Sequence, residues 1–235
     1  MPNNCFRGST SCRGVQTGES VSANQRIVLW RHGQTDWNIE NRFQGHSDIP
    51  LNDVGVRQAE RAAPLLMALQ PSRIISSDLI RAQQTAAALA KISKLPVEID
   101  AGLRETHGGN WEGKTGAENR AADYDRFVNW LDGTDEPAGQ TGERRSAIAE
   151  RAVNAINRAL HDEISTLIVV THGGTARCIL GKMLEMPMTQ WSAIGGLSNA
   201  SWSILENGHH REGWVLVEHN AGSLPEPIYG EESGA

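Results

Sequence analysis

The sequence predicts an α/β fold of three layers, with helices on both faces of a mostly parallel, mixed sheet. Apolar runs of strand length alternate with helix-periodic segments along most of the chain, the pattern of a parallel sheet covered on both sides. Two of those runs, Ile27-Val28-Leu29-Trp30 and Leu167-Ile168-Val169-Val170, are apolar at every position, as doubly buried strands are. Just past their carboxyl ends stand His32-Gly33 and His172-Gly173-Gly174, two histidine-glycine turns from distant parts of the chain.

The elements follow in order. After the first strand and a polar loop through Pro50, Val54, Ala59, Ala62, Ala63, Leu65, Leu66 and Leu69 fall on one helical face, with Asn52 as the N-cap. Arg73-Ile74-Ile75-Ser76 reads as a short buried strand, and Asp78 opens an alanine-rich helix through Lys91. Leu95 to Ile99 predicts another strand. Gly102 to Gly142 is mostly polar and rich in glycine, a cover over the strand ends with one helix near 117–131. A helix from about 141 to 161 leads into the strand ending at His172. A helix over 175–185, stopped by Pro187, and strands near 200–206 and 213–219 complete the sheet.

One domain accounts for 235 residues. Residues 1–25, rich in Ser, Gly, Asn and Thr, have almost nothing to bury and read as a disordered tail. The folded body is expected over 26–220, and 221–235 as a flexible acidic tail. A net charge of −6 argues against a nucleic-acid or membrane surface. No apolar window spans a bilayer and the first 25 residues lack a signal-peptide core, so the expectation is a cytoplasmic protein. Cys5, Cys12 and Cys178 form no CxxC pair, which disfavours a disulfide framework or a cysteine zinc site.

The strand ends suggest a phosphate site. Ligands of open α/β sheets sit outside the carboxyl ends of the strands, where free backbone N–H groups and helix dipoles favour an anion. Gly33, Gly173 and Gly174 let backbone approach closely. Arg31 adds a planar fork of donors suited to phosphate oxygens.

From Leu29 to Asn38 the chain reads Leu-Trp-Arg-His-Gly-Gln-Thr-Asp-Trp-Asn. That segment resembles the signature of the histidine phosphatase, or phosphoglycerate-mutase-like, superfamily. Further matching blocks are Arg42-Phe43-Gln44-Gly45, Leu51-Asn52-Asp53-Val54-Gly55, Ser76-Ser77-Asp78-Leu79 leading to Arg81, Leu103-Arg104-Glu105 and Thr171-His172-Gly173-Gly174. The segment Trp191 to Trp202 also resembles a subgroup of bacterial phosphatases that includes enzymes acting on glucosyl-3-phosphoglycerate.

The resemblance implies a role for each matched residue. His32 is the nucleophile that becomes phosphohistidine. Arg31, Arg81 and His172 hold the phosphoryl oxygens, and Asn38, Gln44, Thr35 and Gly173 complete the pocket. Glu105 protonates the leaving oxygen and then activates water, with Glu112 the other carboxylate eligible for that task. His32 must attack as neutral imidazole, which calls for a carbonyl near Gly33 to hold one ring nitrogen. No metal or cofactor is implied, and the partner is a small phosphate monoester. Dimers are frequent in the family, so a homodimer is carried over from the resemblance alone.

Three other readings stay open. The same site can return phosphate to a second hydroxyl, as phosphoglycerate mutases do, although the short interval from Glu105 to His172 resembles the family's phosphatases. A non-catalytic phospholigand-binding module needs no nucleophile beside an acid. A metal-dependent hydrolase lacks HxxH, HExxH or clustered Asp/His spacing here. Among the remaining side chains, Trp37 and Trp111 are candidates for the entrance. Arg144-Arg145 reads as a solvated helix face, and His46, His107, His161, His209, His210 and His219 read as structural or surface residues.

Overall fold

The computed structural model describes residues 25–161, 163–207 and 213–222. Among these, six strands form one sheet: β1 (Arg26–Arg31), β2 (Arg73–Ser76), β3 (Val97–Ile99), β4 (Thr166–Thr171), β5 (Trp202–Asn207) and β6 (Trp214–Ala221). The spatial order is β3-β2-β4-β1-β5-β6, with β1, β2, β3 and β4 parallel, β5 antiparallel to β1, and β6 antiparallel to β5. The sheet is therefore mixed and mostly parallel.

Alternation along the central strands explains the layers. Ile27 and Leu29 of β1, with Leu167 and Val169 of β4, pack on α6 (Arg145–Ala159) and α7 (Gly173–Met183). Val28 and Trp30, with Ile168 and Val170, pack on α2 (Asp53–Met67) and α3 (Ile80–Ser93). Both faces are apolar because both are covered, so these strands carry no polar alternation. No described helix is long and apolar enough to cross a membrane.

The segment after β3 folds as a cover with its own core, in which Phe43, Trp111, Phe127, Trp130 and Trp191 meet. Its helix is not continuous: α4 (Gly116–Ala122) and α5 (Tyr124–Leu131) are separated at Asp123. Asp123 leaves helical geometry at φ −153° and accepts from Arg126 N, so it caps the second helix and breaks the first. The helix expected from 141 begins at Arg145, and the strand expected from Leu95 is limited to Val97–Ile99. β6 runs to Ala221, one residue beyond the expected body. Gln25 and Gly222 are also described, and the rest of the two expected tails lies outside the described residues.

Two further expectations are corrected here. Arg145 is no solvated face residue: it is buried, its guanidinium stacks 4.1 Å above the Trp130 ring, and Nη2 donates to Trp130 O at 2.8 Å. Only Arg144 is exposed. Trp111 is core rather than entrance, buried edge-on against Phe127 and Trp130. Trp37 is half-buried, with its ring beside Gly113.

Candidate active site

The site begins with strand register. Arg31 of β1 pairs with Thr171 of β4, and each strand runs one residue further into a histidine. His32 and His172 therefore leave the same sheet edge side by side. His32 N donates to Thr171 O at 3.0 Å, and the ring centroids are 5.1 Å apart. From that edge β1 leads to α2 on one face and β4 to α7 on the other. Neighbouring strands whose connections leave on opposite faces open a crevice at their carboxyl ends.

His32 Nδ1 lies 2.7 Å from Gly33 O, the contact that the chemistry requires. A carbonyl only accepts, so Nδ1 carries the proton and Nε2 keeps a lone pair. Burial, then the charges of Arg81 and Arg31, hold this imidazole well below its usual 6.5, against the opposing pull of the Gly33 bond. It is neutral at neutral pH. His172 is fixed in the other tautomer: Arg81 Nε donates to its Nδ1 at 3.2 Å, so Nε2 bears the proton and donates to Ser77 Oγ at 2.9 Å. Burial and the Arg81 charge depress its pKa as well.

The two arginines are anchored by main chain. Arg81, from the first turn of α3, donates through Nη1 to Ser47 O and through Nη2 to Gly45 O, both at 2.8 Å. Arg31 donates through Nη1 to Leu197 O at 2.5 Å, and its guanidinium passes beside Gly173. Both cations are buried within a few ångströms of neutral histidines, an arrangement that favours an anion.

Thr35 caps α1 (Asp36–Ile39) in a reciprocal box with Asn38. Asn38 Oδ1 accepts from Thr35 N and Oγ1, both at 3.0 Å, and from Asn199 Nδ2 at 3.2 Å. Its buried Nδ2 has no hydrogen-bond partner among the described residues, which leaves a donor for a ligand. Gln44 Oε1 lies 3.0 Å from the Thr35 hydroxyl, which ties the loop after α1 to the same cluster.

Glu105 meets the N-terminus of α7. Its Oε1 accepts from Thr106 N (2.8 Å) and Thr175 N (3.1 Å), and Oε2 accepts from Gly174 N (3.1 Å). The carboxyl is thus buried one residue beyond Gly173 and two beyond His172. Glu112 is placed differently. Its carboxylate accepts from His46 N (3.1 Å), Gly108 N (3.0 Å) and the Ser47 hydroxyl (3.2 Å), sewing the 45–47 loop to the cover. The structure brings together Arg31, His32, Arg81, Glu105, His172, Asn38, Gln44, Thr35 and Gly173, and gives Glu112 a fastening task.

Comparison with known proteins shows the family. The model of the histidine phosphatase superfamily, branch 1, matches residues 27–222. The chain belongs to that superfamily. This histidine phosphatase is 38% identical over 195 residues to glucosyl-3-phosphoglycerate phosphatase of Mycolicibacterium vanbaalenii, covering 80% of this chain and 86% of that one. It is 36% identical over 202 residues to a metal-independent phosphoserine phosphatase of Arabidopsis thaliana, covering 82% of each. Among solved structures, a mycobacterial glucosyl-3-phosphoglycerate phosphatase complexed with VO3 superposes with a TM-score of 0.77 at 37% identity. The superposition covers 84% of this chain and 99% of that one.

Two contacts of this histidine phosphatase escaped the sequence reading. Ser77, one residue beyond β2, accepts the hydrogen bond from His172 Nε2. Asn199 Nδ2 bonds both His32 O and Asn38 Oδ1 at 3.2 Å. A positional signal was available for each. Ser77 follows a parallel strand that neighbours β4, and Asn199 precedes an antiparallel strand, whose start lies at the edge where parallel strands end.

Proposed function

We propose that this enzyme hydrolyses phosphate monoesters of small metabolites by two displacements through phospho-His32. The observation that carries the mechanism is the His32 ring, neutral and pinned by Gly33 O, with Nε2 left as the nucleophile beside two arginines. In the first step Nε2 attacks phosphorus and the ester P–O bond breaks. The leaving oxygen takes a proton from the Glu105 carboxylic acid. In the second, the Glu105 carboxylate takes a proton from water, the hydroxide attacks phosphorus, and the P–N bond breaks to release inorganic phosphate. Arg31, Arg81 and Asn38 Nδ2 supply donors to the phosphoryl oxygens, joined by His172 Nε2 when its proton turns from Ser77 Oγ to the bound phosphoryl group; charge stabilisation dominates this chemistry.

For substrate, we infer an anionic metabolite phosphate, with glucosyl-3-phosphoglycerate the first compound to try. The activities for which the relatives are named support that class. The reading takes 26–220 as the catalytic unit and places the enzyme in the bacterial cytoplasm, supported by its mycobacterial relatives and by where such metabolites occur. The test is phosphate release from a panel of monoesters in excess chelator, with rapid-quench trapping of acid-labile phosphoprotein. Turnover without any phosphoprotein sinks the mechanism. Return of the phosphoryl group to a different hydroxyl of the phosphoglycerate, with no inorganic phosphate released, identifies a mutase.

A further inference from the structure

Glu105 has no neighbouring side chain that fixes its own backbone from within the segment. Among the described residues its carboxylate hydrogen-bonds with Thr106, Gly174 and Thr175, so its aim depends on where the 102–107 main chain sits. The Thr171 and Thr175 hydroxyls donate to Leu103 O at 2.9 Å and to Arg104 O at 2.7 Å, and one guanidinium bonds that main chain at three carbonyls. Arg151, from the middle of α6, donates through Nη1 to Gly102 O and Arg104 O, both at 2.8 Å, and through Nη2 to Glu105 O at 2.9 Å. Its Nε and Nη2 also hold Glu143 Oε1 and Oε2, both at 2.8 Å, as a bidentate pair.

Glu143 closes the bracket from the far side. Its Oε2 accepts from His107 N at 2.8 Å, and its own N–H donates to His107 O at 2.9 Å. Burial works to raise the Glu143 carboxyl, but the Arg151 bonds and charge and the His107 N–H outweigh it and hold the group ionised. His46 Nε2 is a second donor to Glu105 O, at 3.0 Å. The residue therefore sits between carbonyls held one and three positions upstream and a peptide held two positions downstream.

We infer that Arg151, oriented by Glu143, is the positioning residue for the acid–base group Glu105. The inference rests on the proposed role of Glu105. Only the planar fork of arginine reaches three carbonyls and both oxygens of a carboxylate at once; a lysine ammonium, a point donor with three protons, cannot. A displacement of the acid near 1 Å costs about 10²-fold where proton transfer limits the reaction. It costs little where the leaving group departs without a proton.

The experiment is rapid-quench formation of phosphoprotein by Arg151→Lys from two esters, glycerol 2-phosphate and p-nitrophenyl phosphate. The expected result is a loss of about 10- to 100-fold with the alkyl ester and under about threefold with the nitrophenyl ester. Equal losses with both overturn the inference and make Arg151 a structural residue, as does no loss with either. Should Arg151→Lys fail to fold, Glu143→Gln, which removes the charge at nearly constant shape, reads the same ratio. Wild-type enzyme that forms phosphoprotein from neither ester overturns instead the underlying mechanism, and the inference with it.

Discussion

Gly33 and Gly55 meet backbone to backbone. A Cβ on Gly33 would run into the Gly55 carbonyl, with Gly55 Cα 2.9 Å away, and a Cβ on Gly55 would run into the Gln34 peptide. The turn that carries His32 is thus seated directly on the first turn of α2. Gly33 N also donates to Thr85 Oγ1 of α3 at 3.1 Å, and Gln34 N to Gln58 Oε1 of α2 at 2.9 Å.

Gly55→Ala should therefore destabilise the protein by about 1–3 kcal/mol through overpacking. It should also lower turnover by up to about 10²-fold, because relief of the clash moves the nucleophile. Gly116→Ala is the control, since its Cβ would rest 3.6 Å from Phe127 in ordinary contact. Urea unfolding and steady-state turnover on both variants check the pair; equal behaviour would show that the close approach is tolerated.

Glu105→Gln keeps the shape of the side chain but removes the proton, and it turns one of the two acceptors, at Gly174 N or at Thr175 N, into a donor. Phosphorylation by alkyl esters should slow by about 10²- to 10⁴-fold. Release of nitrophenolate in the first turnover should change little, because that leaving group needs no acid. Burst kinetics separate the two steps, and a matching loss in both bursts would move the acid role to another group.

Neutral His32 and His172 make stability depend on pH. Each has a native pKa well below the 6.5 of an unfolded histidine. As pH falls below about 6.5 the unfolded chain binds protons that the native chain refuses, so stability falls with pH, by up to about 2.7 kcal/mol per unit for two groups. His46, also depressed by its partial burial, acts in the same direction. Urea unfolding between pH 7.5 and 5 should show the slope, and His172→Asn should reduce it by one proton. An unchanged slope in that variant would show that His172 is protonated in the native enzyme.

Arg145 should matter for folding and not for chemistry. Arg145→Met gives up a desolvated stack on Trp130 and leaves Trp130 O without that donor, for a loss of about 3 kcal/mol. The neighbouring Arg144→Met, on an exposed side chain, should stay within about 0.5 kcal/mol. Thermal melts of the two variants discriminate a buried arginine from a solvated pair.

The contrast between those neighbours shows what a sequence carries. β1, β4 and their histidines were legible because unbroken apolar quartets end on His-Gly, and Asn52 was legible as the cap of α2, where its Oδ1 accepts from Gly55 N at 2.9 Å. Arg145 was not, because Glu143-Arg144-Arg145 has the local pattern of a charged surface, and the ring that covers it arrives from Trp130 in another helix. The break at Asp123 lacked a glycine or proline to announce it. Glu105 and Glu112 are both carboxylates in the same cover, and only their placement relative to α7 separates them. The carbonyls of Gly45, Ser47 and Leu197 that anchor the arginines belong to the main chain, so side-chain identities do not announce them.

The order of the sheet also bears on how the molecule is made. β1 pairs with Thr166–Thr171 on one side and with Trp202–Asn207 on the other, so it leaves the ribosome long before either neighbour exists. At about 5–20 residues per second, roughly ten seconds pass between synthesis of His32 and of His172. Through that interval an apolar strand presents two open edges, the template on which nascent chains stick to one another. The vulnerable species is thus the half-translated polypeptide and not the mature enzyme. Soluble yield on overexpression should follow the capacity of the cell's holding chaperones more closely than the melting temperature of the folded protein.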